Sequence, residues 1–578
     1  MKTIKKIYIT TLCIISIGLS SCSDSDFLNE NPETMYTVEN AFNTSSQVDA
    51  NVTNLYVHVR YWFQNNYFMK GLGSDLLDQP QWRAAGNGYS NFTKWSSSFG
   101  DTQGVYNAFY QLAAYSNTTL YGANLKTIKW SSESQRLYAV SQAQFFRGLA
   151  YLTLGELFGG VPLVDQVYTT PKYDFERASR ADTYKFAIAD FEAALTGMPD
   201  YPTEAGRVAK GATYHYLAEA YLALATTMGN DKAMLDKSIS YATSAMQLHS
   251  LMTTRFGTRS IVNGGTPLNG VAAYVPNGDV FFDLFQRGNL DYSEGNKEAL
   301  WTLENDYQVY KKYGGNQVLA YPRELSAVLR NVSWKKEYMT SANSSPWPGD
   351  ISAYVGGRTV SSVAPTKYVI NEIWAGNYAT DMRNSTVNIR RDIKCTDKTS
   401  TYYGQVVTAS MVDPTTLDRF YPIWTKFSPL DDWGYEDLAD GGNRSNMYRD
   451  EYACRLAETY LLRAEAYMRS GDNDKAAADI NVLRTRAQCT YKVKNSDVNI
   501  ALILDERARE LFGEERRWCT LLRMEGTVVS EQVNKHAYYV IDYPSNTGII
   551  GWNLFPIPQT AIDSNTGAVI TQNPGWGK

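Results

Sequence analysis

Charged side chains recur at helical spacing in the C-terminal half of the chain, where they could in principle perform acid–base chemistry. One group alternates in sign between residues 465 and 514, and Asp381, Arg383 and Asn384 form a second group. Alternating charges along helices usually form structural ion pairs, and neither group supplies a nucleophile beside a base. We therefore interpret both groups as structural ties and predict no catalytic residue. The members of the first group are Glu465, Arg484, Arg486, Glu506, Arg507, Glu510 and Glu514.

Hydrolase and metal chemistry also lack specific support in the sequence. A glycoside hydrolase needs two carboxylates that flank the scissile bond, but in a chain with 60 Asp and Glu residues such a pair can always be found. The four histidines are scattered and the cysteines form no CxxC pair, so no histidine-based metal site or triad is predicted. No EF-hand loop appears, which leaves open whether a structural calcium ion is bound. We predict no metal ligand and no cofactor.

The cysteines of the C-terminal half are expected to be packing residues. Cys454, Cys489 and Cys519 lie in patterns that look helical, where a small buried apolar residue is the simpler interpretation. An oxidising compartment would permit disulfides, but we expect no structural bridge.

The N-terminus carries an export and lipidation pattern. Three lysines within the first six residues precede an uncharged apolar run at residues 7–19, too short for a membrane span but suited to a secretory signal. The run ends in Leu19-Ser20-Ser21-Cys22, which resembles a bacterial lipobox, whose cysteine receives the lipid. We therefore predict a signal peptide over residues 1–21 and lipidation of Cys22; the alternative is an ordinary signal peptide with an incidental cysteine. The following Ser23-Asp24-Ser25-Asp26 resembles an acidic tag for the cell surface.

Composition limits the classes of partner. The 578 residues are 44% hydrophobic, enough for a large core and at least two folding units. A net charge of −5, with no basic stripe, argues against nucleic acid as a partner. The 42 tyrosines, 13 tryptophans and 21 phenylalanines are a surplus of rings of the kind used at interfaces and for stacking flat ligands.

Two blocks of helical periodicity must position these side chains. In the first, a Gly229-Asn230-Asp231 turn separates two amphipathic stripes, and Asp231 is predicted to cap the second helix. In the second, Gly471 is predicted to end one helix and Asp472 to start its partner. Small alanines face bulky rings across both turns, as in closely packed helix pairs. Tyr151, Leu154, Gly155 and Phe158 also follow the first-helix signature of tetratricopeptide repeats. We predict a mainly α fold with a tetratricopeptide-like helical scaffold.

A segment of different character, residues 251–450, separates the blocks. It is rich in Gly, Asn, Pro, Tyr and Trp and carries only short strand-like runs. A segment of this length without regular periodicity is usually a functional insertion. We therefore predict a large irregular insertion with short strands, flanked by helical halves at residues 22–250 and 451–578.

Motifs spread in fixed order over nearly the whole mature chain resemble the SusD/RagB family of outer-membrane nutrient-binding lipoproteins. The match begins near Asp26-Phe27-Leu28, is most recognisable in the helices of both halves, and closes at the C-terminus. The motifs are Ala143-Gln144-Phe145-Phe146-Arg147-Gly148-Leu149-Ala150-Tyr151, Phe158-Gly159-Gly160-Val161-Pro162-Leu163, Asp381-Met382-Arg383-Asn384, Arg455-Leu456-Ala457-Glu458-Thr459-Tyr460-Leu461-Leu462-Arg463-Ala464-Glu465-Ala466-Tyr467 and Gln572-Asn573-Pro574-Gly575.

This resemblance implies a function and a partner. Such proteins are lipid-anchored to the outer membrane, face the cell exterior, and cover a SusC-like TonB-dependent transporter to which they deliver a glycan. They are not enzymes. Two alternatives stay open: the same fold with a peptide as its ligand, as in the RagB branch, and a surface glycosidase.

The resemblance also directs the search for ligand contacts to the early loop and the insertion. The C–H faces of sugars lie well on exposed aromatic rings, and their hydroxyls need hydrogen bonds. Rings in irregular polar segments are therefore candidates, whereas Trp301, in a strand-like alternation, is expected in the core. Of the candidates, Trp82, Trp95 and Tyr313 are favoured. The full set is Trp82, Arg83, Asn87, Tyr89, Trp95, Tyr292, Tyr307, Tyr310, Tyr313, Asn316, Trp334 and Trp347.

Overall fold

The structure is a computed structural model that describes residues 41–64, 66–84, 89, 91–257, 268–272, 278–313, 321–428, 447–536 and 551–576. Outside the described residues lie the signal peptide, the lipidation of Cys22 and the predicted ligand contacts of Asn87 and Asn316, together with the side chain of Tyr313.

Long helices dominate the described residues before and after the insertion. In the first block Asp231 caps its helix by accepting a hydrogen bond from the Met234 N–H, and in the second Asp472 accepts one from Lys475. Both N-caps were predicted from the turn residues. The helices of the scaffold are α1 (Ser45–Gln64), α2 (Gly100–Ala123), α3 (Glu133–Phe158), α4 (Arg180–Ala194), α5 (Lys210–Thr227), α6 (Lys232–Leu248), α7 (Leu456–Arg469), α8 (Asn473–Arg486), α9 (Ile500–Leu511), α10 (Arg517–Arg523), α11 (Val528–His536) and α12 (Gln559–Ser564).

These helices form one continuous array. Each of α2 to α5 packs on the next helix in the chain, and α7 packs on α8. Helix α6 packs on α7, although the whole insertion separates them in sequence. One hydrophobic core therefore runs through both predicted blocks and includes Leu149, Leu217, Ala464 and Leu483. The tetratricopeptide-like helical scaffold is confirmed.

The insertion contributes short helices and four of the six strands in the described part of the chain. Trp301 is 1% exposed within the first strand of the insertion and packs in the helical core, as predicted. The strands are β1 (Leu77–Asp78), β2 (Ala299–Leu303), β3 (Ala364–Pro365), β4 (Ile389–Arg390), β5 (Ile423–Trp424) and β6 (Glu451–Arg455), paired antiparallel as β1–β3, β2–β6 and β4–β5. The short helices of the insertion are Val280–Asp283, Tyr307–Tyr313, Tyr321–Leu325, Ser352–Val355 and Lys367–Ile370, and Gln81–Ala84 is a short helix of the early loop.

A second core lies within the insertion, built around Trp334, Trp347, Tyr354 and Ile393. The pairing of β1 with β3 brings the early loop of the chain onto this core, because it fixes Leu77 opposite Pro365. The early loop and the insertion, both predicted to contact ligand, are thus joined.

Buried ion pairs tie the insertion to the scaffold. The guanidinium of Arg383, from the 3₁₀ helix Met382–Asn384, binds the carboxylates of Glu506 at 2.8 Å and Glu510 at 2.9 Å on α9. Arg484 binds Glu506 at 2.8 Å and Arg455 binds Glu510 at 2.7 Å. The interpretation of these charged groups as structural ties is confirmed.

None of the helices in the described part of the chain combines the length and apolar character that crossing a membrane requires.

The buried cysteines hold small apolar positions, as expected, although only Cys519 lies in a helix. Cys454 belongs to strand β6, and Cys489 follows the end of α8. The helical pattern around Cys454 begins two residues later, at Leu456, because the preceding residues pair with β2 instead.

Candidate functional site

The early loop and the insertion meet in a small polar surface that we call the Trp82 surface, formed by Trp82, Arg83, Asp418 and Arg419. Trp82 and Arg83 lie on the short helix Gln81–Ala84, which follows β1. Asp418 and Arg419 end the 3₁₀ helix Pro414–Arg419 of the insertion. The Asp418 carboxylate accepts a hydrogen bond from the Trp82 backbone N–H at 2.9 Å. This bond fixes the short helix against the insertion.

Two guanidinium groups lie against the indole ring of Trp82. The Arg83 guanidinium carbon lies 4.4 Å from the ring centroid, and that of Arg419 lies 5.2 Å away. Contacts of this kind are cation–π interactions and hold the ring in place. Arg83 is exposed and Trp82 half-buried, and the indole nitrogen of Trp82 is itself buried, without a hydrogen-bond acceptor in the described part of the chain. The surface therefore presents the hydrogen-bond donors of the Arg83 guanidinium beside the ring.

The charge of this surface is set by two cations and one carboxylate. Burial raises the pKa of Asp418, while the hydrogen bond from the Trp82 backbone N–H lowers it. The three ionisable groups of the surface are one carboxylate and two guanidiniums, whereas a glycoside hydrolase needs two carboxylates. The arrangement can bind a ligand rich in hydrogen-bond acceptors.

Trp334 and Trp347 lie underneath this surface and support it. Trp347 is 1% exposed and stacks on Phe420, the residue after Arg419, with 5.6 Å between ring centroids. Trp334 is fully buried, and the preceding residue Ser333 donates its N–H to the Thr416 hydroxyl at 3.0 Å. We therefore replace the prediction of ligand stacking for both tryptophans with packing beneath the 3₁₀ helix.

Trp95, one of the favoured candidates, lies in the scaffold core. It is 6% exposed and stacks on Phe99 at 4.8 Å and Trp552 at 5.6 Å between centroids. Tyr89 is half-buried, and its hydroxyl donates to Asp101 at 2.8 Å. Because rings from the C-terminal segment cover Trp95, we replace its predicted role with core packing. The other rings around it are Phe68, Phe92, Trp518 and Phe555.

The predicted tyrosines of the insertion have different partners. Tyr292 is half-buried and stacks on Tyr201 at 4.7 Å between centroids, with the Lys297 ammonium 3.9 Å from its ring. Tyr307 is 6% exposed, so packing replaces its predicted role, and both it and half-buried Tyr310 contact Tyr448. The side chain of Tyr313 lies outside the described part of the chain.

Asp418 and Arg419 were not among the sequence candidates. Asp418 is 336 residues from Trp82 in the chain, so no local spacing connects the two. The C–H faces of sugars point to aromatic rings as candidates, and the charged partners of a ring follow no aromatic pattern in the sequence. Asp418 and Arg419 are recognisable as partners of Trp82 only once the early loop is seen packed on the insertion.

Three carboxylates form a cluster that the sequence also did not predict. Asp291, Glu304 and Asp450 each offer one carboxylate oxygen, and these three oxygens lie within 4.8 Å of one another, close enough to hold a metal ion. The Thr302 hydroxyl contacts Asp291 at 2.6 Å and Glu304 at 3.1 Å. Burial, together with the charges of Asp450 and Asp291, raises the pKa of Glu304 to about 9, and burial raises the pKa of Asp450 to about 7. The cluster therefore holds protons at neutral pH.

We expect Glu304→Gln to flatten the dependence of stability on pH. Because the pKa of Glu304 is raised from 4.5 to about 9 in the folded state, folding takes up a proton between those values and stability falls as pH rises. The glutamine variant has no charge to bury, so it should be more stable than wild type at pH 9, by at least about 1 kcal/mol. Urea unfolding at pH 5, 7 and 9 with EDTA measures this. Exposed Glu337→Gln is the control, and parallel wild-type and Glu304→Gln curves would contradict the assignment.

Two family models match the chain in complementary regions. One is described as the SusD family and matches residues 424–576; the other is described as starch-binding associating with outer membrane and matches residues 26–222. The chain is 23% identical over 554 residues to SusD-like protein P2 of Formosa agariphila, and the aligned region covers 90% of this chain and 91% of that protein.

Solved structures share the fold. A SusD homolog from Bacteroides thetaiotaomicron has a TM-score of 0.66 at 17% identity, covering 94% of this chain and 100% of that one. A laminarin-binding SusD-like protein has a TM-score of 0.60 at 18% identity, covering 93% of this chain and 100% of that one. These similarities extend over the helical scaffold and the insertion together.

Proposed function

Because the chain belongs to the SusD/RagB family, we propose that it is a glycan-binding lipoprotein of the outer-membrane surface. It captures an oligosaccharide or polysaccharide and delivers it to a SusC-like TonB-dependent transporter. Lipidation of Cys22 anchors it, and the folded chain faces the cell exterior. It does not cleave its ligand.

The observation that carries this proposal is the Trp82 surface. The early loop and the insertion converge there on the half-buried ring of Trp82, which is flanked by the guanidiniums of Arg83 and Arg419. Guanidiniums are donors only, and sugar hydroxyl oxygens accept from them. The starch-binding description of the matching family model and the laminarin-binding neighbour support a glycan as the ligand.

A glycan array probed with the chain that begins at Ser23, followed by calorimetry on each glycan that binds, tests the proposal. Binding of one or more glycans without release of reducing sugar is the expected result. Release of reducing sugar would favour a glycosidase. An array without binding, together with binding of peptides, would favour a peptide carrier.

We expect Trp82→Ala to weaken glycan binding by roughly ten- to a hundredfold, the range found when a stacking ring is removed. Stability should fall by much less than the roughly 3–5 kcal/mol that the loss of a core tryptophan costs, because the ring is only half-buried. Calorimetry and a melting curve on the same sample measure both effects.

Trp130→Ala is the matched control for this variant. Trp130 is also half-buried and its indole N–H also lacks an acceptor within the described residues, but it packs on the scaffold beside α2 and α3. Its removal should leave binding unchanged. Normal binding by Trp82→Ala would place the ligand surface elsewhere.

A further inference from the structure

A cavity of about 410 Å³ lies away from the Trp82 surface, between α2, the segment at residues 162–175 and the C-terminal helix α12. Small-molecule sites in proteins commonly have volumes of about 300–1,000 Å³. None of the four residues of the Trp82 surface lines this cavity. The two sites therefore can be altered independently.

Aromatic rings form much of the wall of this cavity. Tyr106 and Tyr110 lie on α2 with 4.8 Å between ring centroids, and Tyr173 and Phe175 come from the facing segment. Tyr173 is 55% exposed, more than any other aromatic side chain in the described part of the chain. A ring this exposed at the edge of a cavity is available to a ligand.

The C-terminal segment holds this wall in place. The Asn565 side chain accepts a hydrogen bond from the Phe175 N–H at 2.8 Å and donates one to the Phe175 carbonyl at 2.9 Å. The Gly567 N–H donates to the Tyr173 carbonyl at 2.6 Å. The backbone on both sides of residue 174 is thus fixed before any ligand binds, which reduces the entropy cost of binding.

The polar groups of the cavity are close to neutral as a set. The Lys172 ammonium lies 2.6 Å from the Asp174 carboxylate, so its charge is balanced, and it also lies 5.2 Å from the Phe175 centroid. Asn107, exposed on α2, adds a carboxamide that both donates and accepts. Ring faces with neutral or neutralised hydrogen-bonding groups match a ligand that has both C–H faces and hydroxyls.

We propose that this cavity is a second sugar-binding site, which takes one pyranose ring against Tyr173 with its hydroxyls on Asn107 and Lys172. The inference rests on the proposed function only because that function gives sugars as the class of ligand. A long glycan bound at both sites would gain avidity through its effective concentration at the second site. The site has a separate physical basis, because its walls come from the helical scaffold and the C-terminal segment.

Saturation-transfer NMR on the full chain in detergent tests the proposal, with the methyl glycosides of glucose, galactose and mannose as probes. At least one probe should bind in the millimolar range, and Tyr173→Ala should weaken that binding about tenfold or more. Asn107→Ala, at an exposed position, should weaken it as well. Tyr121→Ala is the matched control: Tyr121 is 40% exposed on the same helix, roughly 21 Å along the axis from Asn107.

The outcomes separate this inference from the proposed function. If Tyr173→Ala binds every probe as wild type does, the inference is overturned, while polysaccharide binding that depends on Trp82 still supports the proposed function. If Tyr173→Ala instead loses co-purification with the transporter and keeps sugar binding, the cavity is a protein contact and the inference is also overturned. If probes bind through Tyr173 but no polysaccharide binds, the cavity site stands and the proposed function fails.

Discussion

Replacing Arg383 with alanine is expected to lower the free energy of unfolding by about 3–5 kcal/mol, the cost of breaking a buried ion pair by removing one partner. The Arg383 side chain is fully buried and binds three carboxylates, those of Asp381 at 2.6 Å, Glu506 at 2.8 Å and Glu510 at 2.9 Å. All three acceptors are buried as well. The truncation would remove the positive charge that these three carboxylates bind, and water cannot replace it because they are buried.

The same network predicts how stability depends on acid. Although burial opposes it, the guanidiniums of Arg383, Arg484 and Arg509 lower the pKa of Glu506 from 4.5 to about 2. A carboxylate whose pKa is depressed in the folded state contributes stability that is present above pH 4.5 and is lost as pH falls towards 2. Wild type should therefore lose stability over this acidic range, and Arg383→Ala should lose less, because its Glu506 pKa is less depressed.

Urea unfolding at pH 7, pH 4 and pH 2.5 measures both effects. Arg136→Ala is the matched control, because Arg136 forms an exposed pair with Glu133 at 2.5 Å, three residues away on α3. Such pairs contribute about 0–1 kcal/mol. A loss below about 1 kcal/mol for Arg383→Ala would show that the insertion does not depend on this tie.

The second large effect concerns the proposed anchor. Cys22→Ala should abolish retention of the protein in the membrane without changing its melting temperature. Each buried CH₂ of an acyl chain contributes roughly 0.8 kcal/mol to membrane binding, so removing the chains removes nearly all of that affinity. The substitution lies outside the helical blocks, so folding should not depend on it.

Partitioning into Triton X-114 detergent, in cells that lack the transporter, measures the anchor directly. Wild type should enter the detergent phase and Cys22→Ala the aqueous phase. Cys13→Ala is the matched control, since it changes a cysteine of the apolar run but leaves the lipidation motif intact. Detergent partitioning of Cys22→Ala would show that the lipobox interpretation is wrong.

The sequence by itself determined the features that depend on neighbouring residues. The Asp231 and Asp472 caps could be predicted because an N-cap and the N–H groups it binds are only three residues apart. The helical scaffold followed from apolar periodicity. The structural role of the charged groups followed from the alternation of sign along the helices, and the family from motifs in fixed order.

Only the tertiary structure decided which rings are exposed and which charges meet. Trp82 and Trp95 lie in one polar segment, yet Trp552 and Phe555 cover Trp95, and Asp418 meets Trp82. The exposure of a side chain depends on segments hundreds of residues away that pack over it, and no local pattern records them. The carboxylate cluster of Asp291, Glu304 and Asp450 arises in the same way, because the β2–β6 pairing brings Thr302 opposite Tyr452. The cavity beside Tyr173 likewise exists only because the C-terminal segment returns to α2.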